Sequence, residues 1–473
     1  MSVEYPKAQR ADLTTVLYSN PRRADHDAQG PDCGVIICDR YRDGRRTWRF
    51  PAMPPTLVGW SPCFCSGDVS GWNDLIYFDR PLNANPDLPA RIASNWPLTP
   101  VDPTSMYGAT GKDCTHYPTC RSQATDAAAP LETGALFTFS PLRKISMYRP
   151  STIPYQEHRG FSRTFTPGHL SLGLFFPLEA FDGDTPSMLN QVALAKRAEE
   201  LGFCALWFRD VPLRDPGFGD VGQVFDPWVY LGYIAAHTSE ITLGTASIAI
   251  PLHHPLHTAK ASASIDQLSA GRLILGVASG DRPVEFSAFG VDAERRGDIF
   301  REYYEVIRRA HSTSFEPIRW SGGELRGADL IPKPTTQVIP MLVTGHSRQS
   351  LDWIARESTG WINYPRQPNM QRLIVEDWRL EVMKQCGSVY KPFAQSLYID
   401  LAENPSTPPT RIHLGFRLGR DHLRGLLEVL QEIGVDHVIL NLKYSKRPAA
   451  QVIEELGTHI VPQFGVQPRS EAN

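Results

Sequence analysis

No stretch of this 473-residue chain approaches the roughly 20 consecutive apolar residues of a membrane-spanning helix, so no membrane partner is expected. An excess of basic charge is missing too: 48 Lys and Arg face 51 Asp and Glu, a net charge of −3, which leaves no basic field to hold nucleic acid. The N-terminal residues, MSVEYPKAQRADL, carry no apolar core of a signal peptide, and the expected location is cytoplasmic. Cysteine is scarce, with only Cys204 and Cys386 after residue 160. The earlier six (Cys33, Cys38, Cys63, Cys65, Cys114 and Cys120) show x4, x and x5 spacings with a lone His116, none of them the paired Cys-x2-Cys of a zinc site, so no metal is expected. Apolar material is ample: 41% hydrophobic against 21% charged residues suits a sizeable core rather than bulk disorder. At about 150 residues per domain, the length suits roughly three average domains or one large barrel with additional material.

The chain changes character near residue 160. Residues 1–160 hold 18 of the 40 prolines and six of the eight cysteines. Their apolar scraps, such as Val35-Ile36-Ile37 and Leu75-Ile76-Tyr77-Phe78, show no sustained period of 3.6 or 2. Arg40, Arg42, Arg45, Arg46 and Arg49 surround Trp48, a charge run that reads as a solvated face before it reads as a phosphate patch. The expectation is a Pro-, Cys- and Arg-rich N-terminal extension over 1–160, disordered or weakly packed, then a folded domain over 165–465 and a tail over 466–473.

From Leu170 onward, strand and helix patterns alternate. Leu170–Phe176 suits a buried strand; Thr185-Pro186 reads as a helix N-cap with Pro at the first helical position, followed by Leu189, Val192, Ala195, Ala198 and Leu201 at helical spacing and Gly202 at C′. Further strands are expected at 204–208, 241–250, 272–279, 340–344, 360–364, 393–401 and 438–442. Helices are expected at about 227–237, 256–268, 292–312 and 421–433, another after Ser347, and an irregular stretch at 315–338. Eight such units over about 300 residues predict an α/β fold, a closed (β/α)8 TIM barrel.

In such a barrel the reactive side chains lie where strands end. Those ends read Arg209-Asp210, Thr245-Ala246-Ser247 running on to His253-His254, Ala278-Ser279-Gly280-Asp281-Arg282, and Thr344-Gly345-His346-Ser347. The last suits a phosphate cradle: Gly345 admits close backbone approach, Ser347 stands where a helix begins, and Ser350 lies one turn on. A glycine turn followed by a serine N-cap explains the same residues without a ligand.

The run Thr245–Pro255 (TASIAIPLHHP), the segment Ile265–Leu273 (IDQLSAGRL), Gly276–Gly280 with Phe289-Gly290, and the Gly345-His346-Ser347 turn resemble the luciferase-like, flavin-dependent monooxygenase superfamily over roughly 165–465. Leu206–Leu213 (LWFRDVPL) resembles its luciferase-type oxidoreductase subgroup. The resemblance implies a (β/α)8 barrel that holds reduced FMN, or in a sister branch the deazaflavin F420, at its C-terminal mouth. It places Ala246-Ser247 at a non-prolyl cis peptide beneath the ring and Ser279-Gly280 on a cofactor-contacting loop where Arg282 takes the part of a phosphate-binding Arg. It places His346, Ser347 and Ser350 on the phosphate turn. Relatives carry a proton-handling His at the end of strand two, where this chain has Arg209 and Asp210. These two are the expected catalytic pair, Arg209 holding negative charge and Asp210 orienting or handling protons; a strand-end ion pair is the structural alternative. His253 and His254 are expected to be hydrogen-bonded structure, with reach of one of them into the substrate cavity as the alternative, and Trp207, Phe208, Phe225 and Trp228 core packing or pocket wall.

The function implied is a two-component monooxygenase that takes reduced FMN from a separate flavin reductase and uses O2 on a small organic substrate. An F420-dependent hydride-transfer enzyme and a non-catalytic flavin-binding protein are the alternatives. A homodimer, paired through helices near strands two and three, is implied by the same resemblance.

Overall fold

The computed structural model describes residues 150–466 except Gly219, together with three strands near the N-terminus. The chain divides into two units, residues 1–132 and 133–473. In the first, Thr14–Tyr18, Gly34–Arg42 and Arg45–Trp48 pair antiparallel, with Tyr18 opposite Gly34 and Arg42 opposite Arg45. For the remaining residues up to 149, the expected weak packing lies outside the described residues, as does a tail after 466.

In the second unit eight parallel strands close on themselves: β1 (Ser171–Phe175), β2 (Ala205–Phe208), β3 (Thr242–Thr245), β4 (Leu273–Ala278), β5 (Met341–Thr344), β6 (Gly360–Asn363), β7 (Phe393–Leu401) and β8 (His437–Asn441). β8 pairs with β1, His437 opposite Ser171, which completes the ring and confirms the TIM barrel. Around it run α1 (Arg159–Thr164), α2 (Gln191–Glu200), α3 (Pro227–His237), α4 (Pro255–Leu268), α5 (Pro283–Ala288), α6 (Arg296–Ser312), α7 (Leu351–Glu357), α8 (Pro368–Cys386), α9 (Arg420–Glu432) and α10 (Ala449–His459).

Local chemistry explains where these elements start and stop. Asp226 caps α3 by accepting from Trp228 N and Val229 N, and Pro227 takes the first helical position. Gly202 and Gly434 follow α2 and α9 with φ of 87° and 93°, the left-handed turn that glycine makes without Cβ strain. The Thr185-Pro186 start is wrong: α2 begins at Gln191, and Leu189 is exposed. The intervening loop satisfies its own backbone instead. The Glu179 carboxylate accepts from Ser187 N and Met188 N, and Gln191 Oε1 accepts from Leu178 N. The stretch 315–338 also holds a small hairpin, Ile318–Trp320 against Gly323–Leu325.

The barrel interior is filled by Trp207, Ile274, Leu342, Ile362, Ala394 and Ile439. Trp207 Nε1 can only donate, so His437 Nε2, 2.9 Å away, accepts and the imidazole proton sits on Nδ1, facing Ser171 Oγ at 2.6 Å. That hydroxyl donates in turn to Thr164 O. Burial pushes His437 down to about 3, so the ring is neutral. Below it Phe161, Phe165 and Tyr390 pack ring on ring across the N-terminal end, so α1 belongs to the packed barrel.

The Asp-Gln-Leu-Ser-Ala-Gly-Arg segment acts as a clamp. Arg272, buried, donates to Ser269 O, Ala235 O, Thr238 O, Ile241 O and Thr238 Oγ1, tying the ends of α3 and α4 to the start of β3. Asp266 Oδ2 accepts from Thr335 N and Oγ1, and its Oδ1 lies 3.3 Å from His158 Nε2.

Candidate functional site

The C-terminal rim is built where β2, β3, β4 and β5 end. At β3, Thr245 is fully buried and its hydroxyl donates to Gly276 O at 2.7 Å. The Ala246–Ser247 peptide bond that follows is cis. Ala246 N donates to Phe208 O, which joins the ends of β2 and β3. Gly276 on β4 permits this closeness, because a Cβ there would stand 1.9 Å from Thr245 O.

At β4, Ala278 and a buried Ser279 lead to Gly280, in the left-handed region at φ 81°. Ser279 N donates to Ser347 Oγ (3.2 Å), and that hydroxyl donates to Thr344 O (2.8 Å), so Ser347 braces β4 against β5. Ser347 and Arg348 both have positive φ and precede the helix, whose N-cap is Ser350. The expected helix start at Ser347 is therefore displaced by three residues, because the left-handed pair turns the chain before α7 opens. Gly345, at φ 55°, accepts from Trp361 Nε1 through its carbonyl. His346 and Ser350 are exposed, and the imidazole stands edge-on to Trp361.

Arg209 and Asp210 part company. The Arg209 guanidinium lies 2.8 Å from Asp220 Oδ2, while Gln223 Oε1 accepts from its backbone N–H. Asp210 Oδ2 instead meets His253 Nε2 at 2.7 Å and accepts from Ala249 N at 3.0 Å. No ion pair joins Arg209 to Asp210, so the strand-end bracing alternative is replaced by two separate pairs. Burial opposes the Arg209 charge, but Asp220 more than compensates and raises the guanidinium above its ordinary value. Burial likewise opposes ionisation of Asp220, and Arg209 with Gly222 N and Lys443 holds it below the carboxylate range.

Arg282, at the start of α5, turns toward the same group. Its guanidinium lies over the Phe218 ring and Nη2 donates to Asp220 O. Nη1 is buried without a hydrogen-bond partner among the described residues, as is Thr344 Oγ1 at the end of β5. Glu285, one turn into α5, is also buried; burial, with Asp210 and Asp281 nearby, raises it to about 7 although Arg282 works against this.

Several of these residues were absent from the sequence expectations. Asp220 and Gln223 lie in a loop with no motif, and Glu285 falls between the expected strand at 272–279 and the expected helix at about 292–312, on a helix that was not anticipated. His253, expected to be structural, joins the rim, whereas His254 caps α4 by accepting from Leu256 N. Trp207 belongs to the barrel interior, Phe208 packs on Phe176 and Tyr230 outside it, Trp228 packs against that same outer core, and Phe225 is exposed against Tyr230. Among the described residues no group of three or more His, Cys, Asp or Glu is placed to hold a metal ion, and no helix is long and apolar enough to cross a membrane.

The family model for luciferase-like monooxygenases matches residues 170–384. An uncharacterized protein of Mycobacterium tuberculosis (strain ATCC 25618 / H37Rv) is 32% identical over 211 residues, 40% of this chain and 74% of that protein. The alkanal monooxygenase beta chain of Photorhabdus luminescens is 26% identical over 236 residues, 50% of this chain and 68% of the relative. Among solved structures, monooxygenase RslO1 from Streptomyces bottropensis shares the fold at TM-score 0.53 and 18% identity, covering 63% of this chain and all of that one. An F420-dependent secondary alcohol dehydrogenase in complex with an F420-acetone adduct aligns at TM-score 0.51 and 16% identity, covering 62% and 98%. The oxygenating constituent of 3,6-diketocamphane monooxygenase from Pseudomonas putida, in complex with FMN, aligns at TM-score 0.51 and 13% identity, covering 63% and 100%. The matched segment carries the cis-peptide strand end, the Arg272 clamp and the Ser347 brace together, and the chain belongs to the luciferase-like monooxygenase family.

Proposed function

We propose that the protein is an oxidoreductase whose rim binds reduced FMN, supplied by a separate flavin reductase, and that with O2 it oxygenates a small organic substrate. The observation that carries this is that two donors on the rim are buried without a partner among the described residues, Arg282 Nη1 at the start of α5 and Thr344 Oγ1 at the end of β5. A buried donor without an acceptor costs about 1–3 kcal/mol, more when charged, and a phosphate-bearing ligand supplies the acceptors. Gly345, His346, Ser347 and Ser350 would hold that phosphate with Arg282, and Thr245, Ala246, Ser247, Ala278, Ser279 and Gly280 would border the ring. Reduced FMN, once bound, supplies the two electrons that activate O2. The protein's part is to orient, to exclude water and to manage charge. Arg209, held permanently cationic by Asp220, faces negative charge developing at the substrate, and Asp210 acts through the groups it holds. The helix after β2 leaves Val229 and Tyr233 exposed and α4 ends with an exposed Leu268, which supports pairing of two copies through this side.

The F420 reading keeps the same rim and stands second, because the alcohol-dehydrogenase fold neighbour aligns as well as the FMN-bound one. Titration with FMN and with F420, followed by absorption, separates the two. The proposal expects FMN to bind and the protein mixed with chemically reduced FMN to couple O2 uptake to product formation. Binding of F420 alone, with no O2 consumed, refutes the oxygenase; binding of FMN with no turnover of any substrate favours a non-catalytic flavin protein.

A further inference from the structure

The end of β2 carries no imidazole, yet one reaches it from the adjoining loop. After β3 the chain passes through Ile248–Ala249 and a 3-10 turn at Ile250–Leu252, which delivers His253 to the buried Asp210 carboxylate. We propose that His253 is the proton-transfer residue of this rim and that Asp210 is its positioning partner. The inference deepens the proposed function and rests on the rim being a cofactor site.

The geometry assigns the two ring nitrogens different duties. Asp210 is 1% exposed in its side chain, and its Oδ2 takes both Ala249 N and His253 Nε2, so Nε2 carries the fixed proton. Nδ1 then gains and loses the mobile one. It has no hydrogen-bond partner among the described residues, and the side chain keeps 23% of its surface open. Two structural histidines of the barrel differ. His437 engages both nitrogens, with Trp207 and Ser171, and His158 places one on Phe161 N and the other against Asp266; both are fully buried. Three carboxyl groups face His253: Asp210 from the end of β2, Asp226 from the residue before α3 and Glu285 from α5. Although burial works against the imidazolium, they hold it above the ordinary histidine value.

Both candidate chemistries need such a group. When one atom of O2 enters the substrate, the other leaves as water: reduced FMN would supply the two electrons and one proton, and Nδ1–H delivers the second proton and is refilled from solvent; without substrate the same proton goes to the oxygen that leaves as hydrogen peroxide. When an alcohol gives its carbon-bound hydrogen with an electron pair to F420, the hydroxyl proton passes to Nδ1 and the carbonyl forms.

The test uses the full chain labelled with 15N in histidine, with the His253 signals assigned by their loss in His253→Asn. The proposal expects Nε2 to stay protonated through the titration, Nδ1 to titrate above the usual histidine range, and Asp210→Asn to bring that titration down. Saturating FMN or F420 is expected to shift the Nδ1 signal. His253→Asn removes the titrating ring; it is expected to bind FMN as the parent does but to slow reoxidation of bound reduced FMN by O2 about 10²–10⁴-fold, and to abolish its pH dependence. If neither cofactor binds, the cofactor reading itself fails. If a cofactor binds while Nδ1 does not respond, or His253→Asn reoxidises within twofold of the parent, the proton role alone falls. Loss of fold or of FMN binding in His253→Asn assigns the residue to structure and overturns the proposal equally.

Discussion

Glu285 offers the sharpest test of rim electrostatics. It is 2% exposed, and burial, with the like charges of Asp210 and Asp281, raises it from an ordinary 4.5 to about 7. In the unfolded chain the carboxyl loses its proton near 4.5; in the folded protein it keeps it until about 7. Between those values the folded state binds one more proton than the unfolded state, so unfolding free energy falls as pH rises, and the loss is complete above pH 7. At about 1.4 kcal/mol per pH unit the penalty reaches about 3 kcal/mol. Glu285→Gln removes the titration. Urea unfolding of parent and variant at pH 4 and pH 8 isolates it, because the variant's fixed packing and amide effects cancel in the difference between the two pH values. The variant is expected to gain about 2–3 kcal/mol on the parent between pH 4 and pH 8. A difference below about 0.5 kcal/mol, or of opposite sign, refutes the claim that this carboxyl is held protonated in the fold.

Arg282→Gln, which removes the unpartnered Nη1 charge, is expected to weaken FMN about 10–100-fold, the worth of a charged hydrogen bond, and to leave riboflavin unchanged; equal losses for both ligands in fluorescence titration contradict a phosphate contact. Gly276→Ala drives a Cβ to 1.9 Å from Thr245 O and is expected to cost about 3 kcal/mol, whereas Gly425→Ala on α9, with open space around it, is expected to gain about 0.5–1 kcal/mol; comparable melting temperatures refute the packing of β3 on β4. His437 stays neutral in the fold down to about 3 while the unfolded imidazole takes a proton below about 6.5, so stability drains away as pH falls through that window, by at most about 5 kcal/mol. His437→Gln is expected to flatten this acid limb, and an unchanged limb places the acid sensitivity elsewhere.

The strands were legible because most are short apolar runs buried on both faces, which leaves no polar alternation to blur the pattern; β7, with Gln395, Ser396 and Asp400, is the more polar exception. α9 was equally plain, marked by Leu423, Leu426, Leu427 and Leu430 on one stripe with Gly434 behind them. The first helix misled. Thr185-Pro186 carries the composition of an N-cap, but Glu179 and Gln191 reach across the loop to satisfy its backbone, and side-chain bonds that span 8 to 13 residues leave no local signal. The same reason hid the helix start at α7: nothing in Gly345-His346-Ser347 marks Ser347 and Arg348 as left-handed, and the partner of the Ser347 hydroxyl, Ser279 N, lies 68 residues away in sequence.

The rim shows where sequence reading stops. Its residue types stand at strand ends, where barrel topology places reactive groups, so Arg209, Asp210, Ser279, Arg282 and Ser347 were all visible. Their partners were not. Adjacent residues on an extended segment point to opposite sides, so Arg209 and Asp210 were never placed to pair with each other, and each takes a mate from a different loop, Asp220 or His253. Pairing across loops depends on closed-barrel geometry, in which β2 and β3 bring residues about 40 positions apart within 2.7 Å. This also changes what the missing strand-two imidazole means. Its loss reads in sequence as weakened catalysis, but in the barrel an imidazole from the next loop occupies the neighbourhood of that carboxylate. The chemistry therefore has to be judged by which atoms meet at the rim, and Asp210 with His253 meet there where Arg209 with Asp210 do not.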